Sequence, residues 1–299
     1  MHQQSGERIG FLGLGIMGSR MAANVLGAGF PLTVWTHTPG KAATWATEHG
    51  CEAVDTPAEV AARSDIVISM VVDGAQVASV LIGENGAIDA ARPGLLCVDM
   101  STIAPPDTRR IGAALAERGV QLLDAPVTGS APRAEDGSLT IMVGGEAEDF
   151  ARARPLLESM GALIAHVGPL GQGETLKLIN NALGAANVAA VAEALLLADA
   201  AGIDLDAMVE VVSSGSGASA QLALKSAAMR AHDFTPQFKT AHMLKDVRLC
   251  LEEAQSAGVP FPAAAHARDL LTATMARGHG ELDYAALIEA AEGLAGRRL

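Results

Sequence analysis

Short apolar runs alternate with helix-forming stretches along the first half of the chain. Glycine and polar residues bound each run, and the runs have the length of buried strands. They lie at residues 8–12, 32–36, 65–72, 95–100, 120–127, 139–143 and 163–167. Strands that alternate with helices predict a mostly parallel sheet, and such a sheet binds ligands at the carboxyl ends of its strands.

The strand pattern stops after Gly168, and only helical patterns follow. The first of them predicts one long helix over residues 171–201. Between residues 182 and 200 it is apolar on nearly every face, which predicts burial on most sides. Its polar interruptions, Asn187, Glu193 and Asp199, argue against a membrane span. Shorter helices are predicted at residues 206–213, 218–231, 240–257, 262–277 and 283–295.

A glycine-rich turn follows the first predicted strand and precedes a helical pattern at residues 19–26. It reads Gly13-Leu14-Gly15-Ile16-Met17-Gly18. The first glycine permits the tight turn, the second lets the backbone approach a pyrophosphate, and the third lets helix and strand pack closely. The predicted fold class is therefore α/β: an N-terminal Rossmann dinucleotide-binding domain over residues 1–170 and an all-α C-terminal domain over residues 171–299, joined by a long interdomain helix.

The residues after the second predicted strand bear on the choice of cofactor. An NAD site usually places Asp or Glu there, to hold the ribose 2′-hydroxyl. Here the polar residues are Thr36, His37, Thr38 and Lys41, and none of them is acidic. Hydroxyls, an imidazole and a lysine can hold a 2′-phosphate, so NADP is favoured over NAD. The alternative is that these residues form an ordinary polar turn with no role in cofactor binding.

Three polar residues cluster near the start of the long helix. Lys177, Asn180 and Asn181 have the i, i+3, i+4 spacing that places side chains on one helical face. A proton-transferring lysine beside an amide is one interpretation, and a lysine that reaches from a helix end to water is the other. The lysine follows the predicted domain boundary closely, and small-molecule sites are frequent between domains.

Charge and composition exclude several classes of protein. A formal net charge of −13 without a basic run argues against a nucleic-acid partner and against an anionic membrane surface. The three cysteines are widely spaced, which indicates a reducing compartment and no zinc site. No other metal site is expected, since the eight histidines are scattered. The N-terminal residues lack the apolar core of a signal peptide, so a cytoplasmic location is expected.

Four blocks of the sequence resemble, in the same order, the β-hydroxyacid dehydrogenase family, which includes 3-hydroxyisobutyrate dehydrogenase, tartronate semialdehyde reductase and glyoxylate/succinic semialdehyde reductase. The blocks are GFLGLGIMG at residues 10–18, VDMST at 98–102, DAPVTGSAPRAEDGSLTIMVGG at 124–145 and GETLKLINN at 173–181. The pair Lys245-Asp246 also matches. The resemblance implies an NAD(P)-dependent oxidoreductase that interconverts a small carboxylate-bearing aldehyde, a semialdehyde or glyoxylate, and its hydroxyacid.

The resemblance also implies a role for each matching position. The catalytic group would comprise Lys177 as general acid/base, Asn181 as the amide that holds substrate and lysine, and Thr128. The motif, the strand ends and the resemblance together imply cofactor contacts at Gly13, Gly15, Ile16, Met17, Gly18, Thr36, His37, Thr38, Lys41, Val71, Val72, Thr102 and Lys245. The implied substrate contacts are Thr102, Thr128, Gly129, Ser130, Lys177, Asn181, Phe238 and Asp246.

Two positions depart from the usual family pattern. The family usually has Ser-Gly-Gly after the DAPV strand, whereas this chain has Thr128-Gly129-Ser130. Ser130 and the run at residues 133–137 resemble the glyoxylate/succinic semialdehyde branch. That branch commonly ends its second strand with Asn-Arg-Thr, and this chain, with Thr36-His37-Thr38, lacks the arginine.

Two other functions are open. Imine reductases resemble this scaffold but usually lack the lysine, so Lys177 favours carbonyl reduction. A dehydrogenase-like module kept only for binding would usually also have lost the lysine, which this chain retains. The family forms dimers and tetramers, and the apolar helical half agrees with a homodimer or homotetramer. The alternative is that these apolar faces fill the core of the subunit itself.

Overall fold

The computed structural model describes residues 6–299, which form two compact units that divide between Lys177 and Leu178. The N-terminal unit is α/β and the C-terminal unit is all-α, so the predicted fold class is confirmed. One long helix, Gln172–Ala200, continues through the division. The domain boundary after residue 170 therefore stays a prediction.

The strands of the N-terminal unit form one nine-stranded sheet. They are β1 (Ile9–Leu12), β2 (Leu32–Trp35), β3 (Glu52–Ala53), β4 (Ile66–Ser69), β5 (Leu96–Asp99), β6 (Gln121–Asp124), β7 (Val127–Thr128), β8 (Leu139–Gly144) and β9 (Gly161–Gly168). Their order across the sheet is β3-β2-β1-β4-β5-β6-β8-β7, and β9 pairs with β8. The strands from β3 to β6 in this order are parallel, so their carboxyl ends meet at one edge.

Helices cover both faces of this sheet. They are α1 (Ile16–Gly27), α2 (Lys41–His49), α3 (Pro57–Arg63), α4 (Gly74–Ile82), α5 (Pro105–Ala116), α6 (Ser130–Glu135) and α7 (Ala147–Leu157). On β5, Leu96 and Val98 belong to one apolar cluster, and Cys97 between them belongs to the cluster on the other face. Burial on both faces explains why the strands read as continuous apolar runs rather than as alternating patterns.

The run at residues 120–127 was predicted as one strand, and the structure corrects it to two. The last backbone hydrogen bond toward β5 runs from the Ala125 N–H to the Asp99 carbonyl, at 2.7 Å. Pro126 has no N–H to donate, and β7 pairs antiparallel with β8 instead. Thr128 therefore lies beyond the edge at which the parallel strands end.

Six helices make up the rest of the chain. They are α8 (Gln172–Ala200), α9 (Leu205–Ser214), α10 (Ala220–Ala231), α11 (Thr240–Ser256), α12 (Pro262–Ala276) and α13 (Leu287–Ala295). The predicted helix over residues 283–295 begins as a 3₁₀ turn, Tyr284–Ala286. Apolar side chains of α8, α11, α12 and α13, among them Leu195, Val247 and Leu271, form the core of the C-terminal unit.

Burial of α8 on most sides was predicted over residues 182–200, and the structure leaves one side of the helix exposed in the single chain. Leu176, Ile179, Leu183 and Leu197 recur along one side of the helix and are 39%, 39%, 50% and 71% exposed. By length and composition alone α8 could cross a membrane, but 56% of its most apolar stretch is buried inside the protein. The core helix of a globular protein passes the same test, so this is weak evidence for a membrane span.

Candidate functional site

The turn between β1 and α1 has the backbone geometry that its glycines predict. Gly13 has φ +107°, and a Cβ there would collide with the carbonyl oxygen of Met70. A Cβ on Gly18 would collide with the carbonyl oxygen of Gly13 and would lie 3.2 Å from the Phe11 ring. The first glycine therefore permits the turn, and the third lets α1 pack closely on β1.

Gly15 differs from its two neighbours in the motif. A Cβ on Gly15 would meet no atom within 4 Å, so the backbone here faces open space. Gly15 precedes α1, whose first turn has no acidic residue and no side-chain cap. Free N–H groups at a helix N-terminus bind phosphate. The turn thus fits a dinucleotide, whose pyrophosphate would lie against Gly15, Ile16 and Met17.

The residues after β2 divide into one structural residue and three exposed ones. The Thr36 hydroxyl accepts a hydrogen bond from the Leu14 N–H at 3.3 Å, which ties the end of β2 to the glycine-rich turn. His37, Thr38 and Lys41 are exposed. No acidic residue lies in the first turn of α2, which begins at Lys41. These side chains are accessible to an anion such as a ribose phosphate.

A buried carboxylate, Asp99, joins the loops that follow β4 and β5. Its Oδ1 accepts hydrogen bonds from the hydroxyls of Ser69 and Ser101, at 2.7 and 2.8 Å. The Ser101 hydroxyl in turn accepts one from the Val71 N–H at 3.0 Å. Val71, Val72 and Thr102 are predicted to contact the cofactor. The two loops that contain them are therefore joined by one hydrogen-bonded network through Asp99 and Ser101.

Burial raises the pKa of Asp99 to about 6, although the hydrogen bonds from Ser69 and Ser101 oppose this shift. The neighbouring carboxylate of Asp124 raises it further. Among residues 6–299, Oδ2 of Asp99 has no hydrogen-bond partner. Asp99 was not among the predicted site residues. The sequence feature that could have indicated it is an acidic residue at the end of a fully buried strand.

The turn after β7 contains the predicted carboxylate-binding residues. Gly129 has φ +141°, and a Cβ there would lie 2.7 Å from the Cβ of Arg133. Ser130 has φ +58°, a conformation that non-glycine residues adopt uncommonly. A serine in this conformation places a hydroxyl in the turn at a conformational cost of about 1 kcal/mol relative to glycine.

Lys177 lies on the second turn of α8 and is only 7% exposed. Asp124, at the end of β6, caps the start of the same helix. Its Oδ1 accepts a hydrogen bond from the Gly171 N–H at 2.7 Å and its Oδ2 accepts one from the Glu174 N–H at 2.8 Å. Burial raises the pKa of Asp124, and these N–H groups partly offset the shift.

In the C-terminal unit, three predicted site residues share one network. The Asn181 amide donates to Oδ2 of Asp246 at 2.7 Å, and the Lys245 ammonium lies 3.1 Å from Oδ1 of the same carboxylate. Asn180, predicted to share a face with Lys177, is exposed and donates to the Asn181 side chain at 3.1 Å. Asp246, only 1% exposed, therefore holds both the amide and the second lysine.

A second buried network supports Phe238. The Lys225 ammonium lies 2.8 and 3.0 Å from the two carboxylate oxygens of Asp283 and 4.7 Å from the centre of the Tyr284 ring. Asp283 also accepts hydrogen bonds from the N–H groups of Gln237 and Phe238, both at 3.0 Å. Lys225 and Asp283 were missed at the level of sequence, because the pair is far apart in the chain and neither residue stands in a motif.

The structure thus places predicted site residues in two groups, each described within its own unit. The parallel strands bring the glycine-rich turn, the Val71–Val72 loop and the Thr102 loop to one sheet edge. In the C-terminal unit, Asn181, Lys245 and Asp246 are in contact. Across residues 6–299, no three His, Cys, Asp or Glu side chains are arranged to hold a metal ion. The catalytic and binding roles of all these residues stay predictions.

Two family models match almost the whole chain. The model for the NAD-binding domain of 6-phosphogluconate dehydrogenase matches residues 8–168. The model for the NAD-binding domain of NADP-dependent 3-hydroxyisobutyrate dehydrogenase matches residues 171–291. The first covers the unit that contains the glycine-rich turn, so the prediction of an NAD(P) cofactor is confirmed.

Individual relatives agree with these models over their full length. The chain is 39% identical over 292 residues to the 2-hydroxy-3-oxopropionate reductase of Escherichia coli K12, covering 98% of this chain and 99% of that protein. It is 33% identical over 282 residues to glyoxylate/succinic semialdehyde reductase 1 of Arabidopsis thaliana, covering 94% and 97%.

A solved structure of the Mycobacterium tuberculosis 3-hydroxyisobutyrate dehydrogenase with L-serine is similar with a TM-score of 0.87 and 33% identity, covering 96% of this chain and 99% of that one. The matches in sequence, the matches in fold and the glycine-rich turn all lead to one assignment. The chain belongs to the β-hydroxyacid dehydrogenase family of NAD(P)-dependent oxidoreductases, together with the 3-hydroxyisobutyrate dehydrogenases.

Proposed function

We propose that this protein interconverts a small carboxylate-bearing aldehyde and its hydroxyacid, with NADP(H) preferred over NAD(H). The observation that carries the proposal is Lys177, a lysine that is buried near the start of α8 in a chain whose N-terminal turn fits a dinucleotide. The relatives described above are named for 2-hydroxy-3-oxopropionate, glyoxylate and succinic semialdehyde. These three aldehydes are the substrates we favour.

Lys177 is the proposed proton carrier. When bound, the nicotinamide supplies hydride to the carbonyl carbon or accepts it from the alcohol carbon. In reduction, the Lys177 ammonium gives a proton to the oxygen that becomes the hydroxyl. In oxidation, the neutral amine takes that proton back. Asn181 follows one turn later on α8, where Asp246 fixes its amide at 2.7 Å, so it can orient the same oxygen.

The turn after β7 is the proposed binding site for the substrate carboxylate. N–H groups fixed in a turn can stabilise an anion without reorganisation, and the positive φ values of Gly129 and Ser130 fix this turn. Thr128 supplies a hydroxyl beside it. The Ser130 hydroxyl adds a donor that glycine lacks, which favours a substrate with an additional polar group near its carboxylate.

The preference for NADP rests on the residues after β2. Because Thr36 is already hydrogen-bonded to Leu14, the exposed side chains of His37, Thr38 and Lys41 are the groups proposed to hold the 2′-phosphate. No carboxylate competes for the 2′-position at the end of this strand. A phosphate there would gain a lysine contact that an unphosphorylated ribose would not.

The test is a steady-state assay that follows reduced cofactor by its near-ultraviolet absorbance. The purified protein meets each of the three aldehydes, and methylmalonate semialdehyde, with NADPH and with NADH. Lys177→Ala protein, purified in the same way, controls for contaminating reductases. We expect turnover of at least one of the favoured aldehydes, with a higher kcat/KM for NADPH. Silence across the panel, with NADPH still bound, would contradict the substrate class and make cyclic imines the next substrates.

We also propose an oligomeric state and a cellular location, and neither depends on the proposed reaction. A homodimer or homotetramer is supported by the exposed leucines along α8, Leu176, Leu183 and Leu197. A cytoplasmic location is proposed on the wide spacing of the three cysteines, which indicates a reducing compartment. Light scattering of the purified protein tests the first, and fractionation of cells that express the full chain tests the second.

A further inference from the structure

The Asp124 carboxylate, at the end of β6, contacts backbone groups at the start of α8. Its side chain is fully buried. The two oxygens accept hydrogen bonds from the backbone N–H of Gly171, just before α8, and from that of Glu174, in its first turn. The carboxylate thus caps the helix from another element, and it neutralises N–H groups that have no partner within the helix.

Two glycines leave the space that this close contact needs. Gly144 is the register partner of Asp124 in the sheet, and a Cβ on Gly144 would collide with Oδ1. A Cβ on Gly173 would lie 2.9 Å from Oδ2 and would also collide with the Met142 carbonyl. The carboxylate is therefore enclosed by backbone on both sides, and it cannot shift without moving either β8 or the first turn of α8.

Lys177 follows this turn directly. It lies three residues after Glu174, which is about 4.5 Å along a helix axis, and nothing but regular helix separates the two. Because α-helical backbone is stiff over one turn, any displacement of the Glu174 N–H is transmitted to the Lys177 backbone. Misplacement of a catalytic group by about 1 Å can cost about 100-fold in rate.

We infer that Asp124 is a positioning residue that sets the location of the Lys177 ammonium for proton transfer. This inference rests on the proposed function, in which Lys177 carries the proton. It assigns Asp124 no contact with the substrate or the cofactor. The carboxylate acts by fixing where α8 begins, so its loss slows the proton-transfer step and leaves cofactor binding unchanged.

Two variants disturb the contact from opposite sides. Asp124→Asn keeps the size of the side chain but places an amide N–H against the N–H of Gly171 or Glu174. Gly173→Ala keeps the carboxylate and adds the Cβ that collides with it. The control is Gly161→Ala at the start of β9, whose Cβ would lie 2.7 Å from Ile141. Its register partner Leu139 lies at the opposite end of β8 from Gly144. This variant strains the same unit without touching this contact.

Four quantities are measured for each variant with the best aldehyde: kcat, its solvent deuterium isotope effect, the NADPH dissociation constant and the melting temperature. For Asp124→Asn and Gly173→Ala, we expect kcat to fall about 10- to 100-fold and its solvent isotope effect to rise, since proton transfer becomes slower. The NADPH dissociation constant stays within about twofold. Gly161→Ala loses melting temperature but keeps the wild-type kcat and isotope effect.

The inference is overturned if kcat in both variants stays within threefold of wild type, or if Gly161→Ala loses kcat to the same extent. If Asp124→Asn does not fold, Gly173→Ala decides by the same criteria. Lys177→Ala in the same assay separates this inference from the proposed function. If Lys177→Ala keeps turnover, the proposed function is wrong. If Lys177→Ala is slow while Asp124→Asn and Gly173→Ala are both normal, only the positioning role is wrong.

Discussion

The two units of this protein hold their predicted site residues by different means. In the N-terminal unit, the glycine-rich turn and the start of α8 are held through backbone atoms: Gly13 and Gly18 pack against carbonyl oxygens, and Asp124 accepts hydrogen bonds from backbone N–H groups. In the C-terminal unit, the fixed points are side chains of opposite charge, such as Lys225 with Asp283. The first kind of support is a property of the turn, whereas the second depends on individual side chains.

This difference has a consequence for mutation. A buried ion pair becomes unfavourable when one partner is removed, because the other charge stays buried. A turn whose conformation depends on glycine is disrupted when a Cβ is added where no space exists. The ion pair of the C-terminal unit should therefore be sensitive to loss of a charge, and the glycine-rich turn of the N-terminal unit to gain of a methyl group.

The largest expected effect concerns chemistry rather than stability. Lys177→Ala should reduce turnover about 10²- to 10⁴-fold, the usual contribution of general acid–base catalysis, and should retain cofactor binding, which depends on the glycine-rich turn. Lys177→Arg keeps the positive charge but cannot release a proton, so it should be similarly slow. Steady-state rates and NADPH fluorescence titration check this. An active Lys177→Arg variant would show that only the charge matters.

The next largest effect tests the side-chain support of the C-terminal unit. Lys225→Met should lower the free energy of unfolding by about 3–5 kcal/mol, because Asp283 would remain buried without its cation. The control is Arg154→Ala in the exposed pair of Arg154 and Glu158, which should cost at most about 1 kcal/mol. Urea denaturation followed by circular dichroism measures both. Equal costs would mean that the buried pair contributes no more than a surface pair.

A pH-dependent effect is expected in the N-terminal unit at Asp99. Its pKa is raised from 3.8 to about 6 in the folded protein, so the folded state binds this proton more tightly than the unfolded state. Its contribution to stability therefore decreases as pH rises from about 4 to about 6 and is constant above that. The stability of Asp99→Asn relative to wild type should rise by up to about 3 kcal/mol over the same range.

Asp65→Asn provides the control of opposite sign. The hydrogen bond from Arg8 holds the pKa of Asp65 well below its usual range. Its stabilising contribution is thus present above about pH 4 and is lost as pH falls further. Unfolding curves between about pH 3 and about pH 7 for both variants test the two directions. A difference between wild type and Asp99→Asn that does not change with pH would contradict the raised pKa.

The smallest expected effects separate two glycines of one motif. Gly18→Ala should destabilise the protein by about 1–3 kcal/mol, since its Cβ would collide with the Gly13 carbonyl. Gly15→Ala meets no atom, so it should cost less than about 1 kcal/mol while weakening NADPH binding about tenfold. Thermal unfolding and cofactor titration compare the pair. Equal affinity for NADPH in wild type and Gly15→Ala would mean that the pyrophosphate does not approach Gly15.

Most of the fold was predictable because its signals are local. Apolar runs bounded by glycines predicted the strands, and the end of the strand pattern after Gly168 indicated where the helical half begins. The errors also have local causes. Residues 120–127 read as one apolar run although Pro126 ends the pairing with β5. The exposed side of α8 was not apparent from the sequence, because that side also carries leucines. Composition alone does not distinguish an apolar side that faces the core from one that faces outward.

The candidate site was predictable only where a motif marks it. The glycine spacing at residues 13–18 and the block around Lys177 identified the turn and the lysine. Asp99, Asp124, Lys225 and Asp283 were missed as supporting residues, since each acts on groups far away in the sequence. The separations are 30 residues from Asp99 to Ser69, 47 from Asp124 to Gly171 and 58 from Lys225 to Asp283.

The sequence by itself determined the α/β and all-α halves, the dinucleotide turn and the lysine near the start of α8, because periodicity and glycine spacing are properties of neighbouring residues. Only the tertiary structure decided which carboxylates support that lysine and the loops at the sheet edge. Whether a strand-ending aspartate caps a helix or bridges two serines depends on which backbone groups the sheet order brings beside it. Asp124 and Asp99 end adjacent strands in the same register, yet one holds a helix and the other holds two loops.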